Sequence, residues 1–305
     1  MMTHQLALVR RELWEHRAIY ITPLVIAFVI SLMATTGHIS IAAYGQQVDL
    51  AIVGASNLGE PERRAVMTMF LSIISMIFAI GAWIIMVFYS LDTLYAERRD
   101  KSILFWRSLP VTDSETVISK LLTALFVIPL VSFVVIMVTH LLNLVILSIW
   151  ISIEGGDAGH LIWNSAPLFN TWSATLLITI CLSLWLSPFV GWFLFVSAYA
   201  KRLPLLLAFL PIVVLPMIEK LLSENTSFFW QAFFVRTFTP PLVGEANAKD
   251  LILSEDFSLS PALVDLLASL DIGGFLSSPS LWAGIVVCGL LTTAAIYVRR
   301  FRDES

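Results

Sequence analysis

The chain is poor in charge: only 13% of its 305 residues are Asp, Glu, Lys or Arg, and 58% are hydrophobic. A soluble domain of this length carries about twice that charge, so the apolar excess has no single water-soluble core to fill and must face lipid. Cysteine is scarce as well. Cys181 and Cys288 both fall inside apolar runs, which excludes a disulfide framework and a cysteine metal site. The chain lacks a G-x-x-x-x-G-K-[ST] loop and so does not cradle ATP phosphates in the usual way. It lacks H-E-x-x-H and paired intramembrane aspartates, the usual marks of membrane-embedded hydrolases. No small-residue cleavage site follows the first apolar run, which is read as a retained span.

What the chain has is long apolar runs. A hydrocarbon core of about 30 Å needs roughly 20 helical residues. Six runs qualify, at about 18–36, 65–90, 121–151, 171–200, 203–222 and 281–298. The expected fold is an all-α integral membrane protein, a single transmembrane domain over 1–305. Trp185, Pro188 and Trp192 predict a kinked, aromatic-lined fourth span. Pro204, Pro211 and Pro216 interrupt the fifth, which predicts a helix packed inside the bundle, where neighbours satisfy the freed carbonyls.

Orientation follows from the 18 Lys and Arg residues. With the N-terminus inside, thirteen fall in cytoplasmic segments; Arg63, Arg64, Lys220, Arg236 and Lys249 remain outside. This positive-inside bias puts both termini in the cytoplasm. The outer segments are mostly acidic, and 223–280 reads as a long extracytoplasmic loop in which Ser260-Pro261 starts a short helix. Glu60-Pro61-Glu62 suits a helix start before the second span.

Residues 1–17 form an interfacial helix, with Leu6, Val9, Leu13 and Trp14 on the apolar face and Arg10, Arg11, Glu12, Glu15 and Arg17 on the remainder. It serves as a juxtamembrane anchor or a partner contact. Within the spans, His140 and Asn143 share one helical face. They are a candidate substrate path, or they make hydrogen bonds between helices.

The densest signal lies between spans two and three, over 91–120. The cluster Glu97, Arg98, Arg99, Asp100 and Lys101 precedes the apolar run Ile103, Leu104, Phe105 and Trp106, and Leu109-Pro110 breaks the segment. Thr112 and Glu115 then form a capping box that opens the third span. Phe105 and Trp106 need either the membrane interface or a protein groove.

The run DTLYAERRDKSILFWRSLPVTD at 92–113, followed by a helix with Val117, Ser119 and Lys120, resembles the first cytoplasmic loop of ABC-2-type ABC transporter permeases. RRELWEHR at 10–17 and RRFR at 299–302 are similar to that family's ends. The resemblance implies the transmembrane subunit of an ATP-driven exporter in a bacterial plasma (inner) membrane. Its partners would be a separate ABC ATPase that binds ATP and Mg, a second copy in a homodimer, and the lipid bilayer; neither a cofactor on this chain nor nucleic acid is implied. Glu97, Arg98, Arg99, Asp100 and Lys101 would orient the docking. Ile103, Leu104, Phe105 and Trp106 would fill the ATPase groove, and Leu109-Pro110 would end the coupling helix. The alternatives are a secondary transporter, which would show repeats and mid-span carboxylates, or a membrane-embedded enzyme.

Overall fold

The computed structural model describes residues 2–42, 57–101, 111–222, 228–238, 240–242 and 265–301. Among these there is no β-strand, and six helices are long and apolar enough to cross a membrane. The chain is an all-helical, multi-pass membrane protein in its architecture. The Ile103–Trp106 and Leu109-Pro110 residues, and the Ser260-Pro261 helix start, lie outside the described residues.

A first helix, α1 (Met2–Glu15), turns at His16 and Arg17 into α2 (Ala18–Ala42). The second span, α3 (Glu60–Arg99), runs 40 residues. It opens as the sequence predicts, with Pro61 in its first turn and Glu62 accepting a bond from Gly59 N at 2.9 Å. It closes at Asp100 and Lys101, the latter in the left-handed region at φ 56°.

The third span, α4, extends from Asp113 to Ile153. The expected capping box is present: Glu115 N donates to Thr112 Oγ1 at 3.2 Å, and Thr112 N donates to Glu115 Oε2 at 2.9 Å. One π-helical turn, Thr123–Val127, interrupts it ahead of Pro129, which has no N–H to continue the regular ladder.

The fourth span is broken where Pro188 predicts. Helix α5 (Leu168–Trp185) ends, and α6 (Ser187–Tyr199) begins with Pro188 in its first turn. The break frees the last carbonyls of α5, and a side chain from elsewhere takes up one of them.

The fifth span, α7 (Pro204–Leu222), departs from expectation. It passes through Pro211 and Pro216 as one helix, and only Ala208 and Pro216 on it are buried. It lies on the outside of the bundle. Each proline removes one donor, a local loss that does not oblige the helix to be surrounded, and an apolar sequence suits lipid as well as protein. Trp192 Nε1 ties it to α6 by donating to Ala208 O at 3.0 Å.

Two short helices follow, α8 (228–238) and α9 (Ile272–Ser277), before α10 (Pro279–Phe301). Helix α9 packs inward, for Phe275 is fully buried and tilts against Trp185 at 6.1 Å between ring centroids, whereas Phe228, Trp230 and Val235 on α8 are exposed. Trp185 closes an 18-residue helix, about 27 Å from the helix's other end. Phe275 and Arg236 thus both meet the C-terminal end of α5.

Helices α6 and α10 cross at contact distance. A Cβ on Gly191 would stand 3.0 Å from both Cα and O of Cys288, so only glycine permits this approach. Both cysteines are buried and free.

Candidate functional site: a buried charge network beside the 102–110 segment

Apolar packing brings α1, the end of α3, the start of α4 and the end of α10 to one end of the bundle. Ile19, Ile85, Tyr89, Leu94, Val117, Leu125, Leu194 and Ala295 share one core there. Capping that core is a set of charges far below the surface. Glu12 and Lys120 are 0% exposed, Glu97 is 2% and Arg299 is 5%.

Lys120 is the centre. Its Nζ stands 3.0 Å from Glu12 Oε1, 3.2 Å from Glu12 Oε2 and 3.0 Å from Glu97 Oε1, and it donates to Thr93 Oγ1 at 2.6 Å. Glu97 also accepts from Arg299 Nη1, while Arg299 Nε donates to Asp113 Oδ1 at 2.9 Å. Arg11 Nη2 reaches Glu12 at 2.6 Å and Glu97 at 3.4 Å. Tyr89 donates its hydroxyl to Glu12 Oε2 at 2.9 Å.

Three carboxylates (Glu12, Glu97, Asp113) thus face three cations (Arg11, Lys120, Arg299). Burying any one of these charges alone would be prohibitive, and the balance and multiple hydrogen bonds are what make the burial tolerable. Burial by itself would push the Glu12 carboxyl up. Lys120, then Arg11, and the bonds from Lys120 and Tyr89 outweigh it and hold the pKa at about 2, so Glu12 is ionised at neutral pH. His16, beside Glu12 at 3.7 Å, is held below the usual imidazole range, chiefly by burial.

Members of the network lie on either side of residues 102–110 in the sequence. Glu97 precedes it by one turn of α3, Asp113 and Lys120 follow it on α4, and Arg299 clamps Glu97 to Asp113 directly. The ends of α3 and α4 are thus tied to each other and to α1 and α10.

The predicted coupling residues divide in this setting. Glu97 is a buried member of the network. Arg98 donates to Ser197 O at 2.6 Å and Ala200 O at 2.8 Å, filling acceptors at the end of α6. Arg99, Asp100 and Lys101 are exposed, with Arg99 Nε bonded to Asp100 at 2.9 Å. The structure places Glu12 opposite to the sequence reading, which set it among the solvated charges of the first helix. The buried face of α1 carries Leu8 and Glu12, while Trp14 is 69% exposed, under the Arg10 guanidinium. The parts that sequence reasoning missed are Glu12, Tyr89 and Arg299. Glu12 and Arg299 have one signal, a place near a helix end bordering an apolar run, and Tyr89, inside such a run, has none.

His140 and Asn143 lie apart from this network, farther along α4. His140 Nε2 faces Leu71 O at 3.0 Å and its Nδ1 accepts from Trp172 Nε1 at 3.2 Å, which sets the Nε2–H tautomer. Asn143 Nδ2 donates to Ser31 Oγ at 3.2 Å and to Thr139 O at 2.8 Å. Both are buried and bridge helices. Among the described residues no group of three or more His, Cys, Asp or Glu could hold a metal.

No family model, no curated protein and no solved structure matches this chain.

Proposed function

We propose that the chain is the transmembrane permease subunit of an ATP-driven ABC exporter, worked by a separate nucleotide-binding ATPase that docks on Glu97–Pro110. The observation that carries this reading is the Lys120-centred network. It ties the end of α3 and the start of α4, which flank that segment in sequence, to α1 and α10, as a lever needs if it is to pass the motion of an external motor into the spans. The resemblance of 92–113 to the first cytoplasmic loop of ABC-2-type permeases supports the same reading. So does the positive-inside charge pattern, which favours a cytoplasmic side for the network end of the bundle; a bacterial inner membrane follows from the resemblance.

On this reading Phe105 and Trp106 enter a groove on the ATPase. Arg99, Asp100 and Lys101 orient the contact. Glu97 and Lys120 hold the segment's ends, and Arg98 ties them to α6. A second copy completes the permease, with the exposed face of α7 available to it or to lipid. ATP and Mg belong to the partner.

The test is copurification. Tagged full-length chain should bring down a nucleotide-binding subunit in mild detergent. Phe105→Ala with Trp106→Ala should lose that subunit while keeping a normal thermal midpoint. Recovery of the chain without any ATPase, or a double variant that transports normally, would refute the proposal.

A further inference from the structure

Among the described residues Arg236 has no acidic partner. Its guanidinium lies over the Trp185 ring at 4.2 Å, its Nε donates to Trp185 O at 3.0 Å, and its Nη1 donates to Ser280 O at 2.8 Å. Trp185 Nε1 donates back to Arg236 O at 2.6 Å. This clasp uses the carbonyl that the break at Leu186 sets free. Carbonyls satisfy hydrogen bonds but do not neutralise a charge. The third nitrogen, Nη2, is buried against Gly284 without any hydrogen-bond partner. Glu219, which borders the same helix, is spent on the amides of Phe228, Phe229 and Trp230 at 2.5–3.2 Å.

Beside the guanidinium is a cavity of about 410 Å³, within the range of about 300–1,000 Å³ typical of small-ligand sites. Phe228, Ala232, Val235 and the Trp185 ring supply an apolar wall, and Gln231 and Ser278 supply polar groups. A half-buried, unneutralised guanidinium held rigid beside an amphipathic cavity is suited to an oxyanion on an apolar body.

We infer that this cavity binds a phosphate oxyanion, as the headgroup of an anionic amphiphile or as the free ion, with Arg236 supplying the charge. The site rests on Arg236 and its cavity alone and is independent of any ATPase contact.

The experiment measures thermal stabilisation and native-mass-spectrometry binding of the full-length chain in neutral detergent, titrated with phosphatidylglycerol, phosphatidylcholine or inorganic phosphate. Phosphatidylglycerol should bind at least tenfold more tightly than phosphatidylcholine. That preference should fall at least tenfold in Arg236→Gln, and also in Ala232→Trp, which fills the cavity and leaves the clasp in place. Stabilisation by inorganic phosphate alone, lost in both variants, would keep the site and identify a soluble anion as its source. Equal binding by wild type and a folded Ala232→Trp variant, or no binding of any of the three, overturns the inference.

Discussion

Lys120 Nζ stands 3.0 Å from Glu97 Oε1, joining the helix that enters the 102–110 segment to the helix that leaves it. Both groups are buried, so removing either leaves the other less fully neutralised. Lys120→Met should cost about 3–5 kcal/mol, the usual penalty for stranding a buried charge, read as a fall in the thermal midpoint in nanodiscs. Adding Glu12→Gln should recover part of the loss. A cost below about 1 kcal/mol would mean that the pair behaves as a surface ion pair.

The pH response follows from Glu12. Its folded pKa, about 2, lies below its ordinary value of 4.5, so the folded state binds the proton less readily than the unfolded one. The stabilisation is complete above pH 4.5 and is lost as the pH falls from there through about 2. Thermal midpoints across pH 7 to 2.5 should show this decline, and Glu12→Gln should flatten it while lowering stability at pH 7. An unchanged acid profile in Glu12→Gln would contradict the assignment.

Gly191 tests the closest helix crossing. Any Cβ there meets the Cys288 backbone at 3.0 Å, and a backbone cannot step aside as a side chain can. Gly191→Ala should destabilise the fold by about 1–3 kcal/mol and should raise the reactivity of Cys288 toward a membrane-permeant thiol reagent.

Much of the architecture is legible in the sequence because lipid sets a length scale. The apolar runs mark all six spans, and Pro188 marks the break between Trp185 and Ser187. Thr112 and Glu115 mark the start of α4 through local hydrogen bonding alone. The site is much less legible. Lys120 meets Glu12 across 108 positions, and Arg299 meets Glu97 across 202. No local pattern reports such pairings, and a charged face on α1 is equally consistent with solvent. The exposure of α7 was hidden for a related reason: lipid-facing and protein-facing apolar surfaces have the same composition.

His140 bridges α3, α4 and α5 through Leu71 O and Trp172. His140→Ala should cost about 1 kcal/mol or less, in line with interhelical bonds in membranes, and should leave the proposed transport intact. A cysteine placed there should resist a water-soluble thiol reagent; rapid labelling would instead favour a water-lined path.

If the network links a motor to the spans as proposed, ATP turnover by the chain reconstituted with a nucleotide-binding subunit measures that link most directly. Glu97→Gln should leave the ATPase bound but reduce transport-coupled hydrolysis at least tenfold, because the segment loses its clamp to Arg299 and Lys120. Wild-type coupling in a stably folded Glu97→Gln complex, or failure to obtain any complex with a nucleotide-binding subunit, would contradict it.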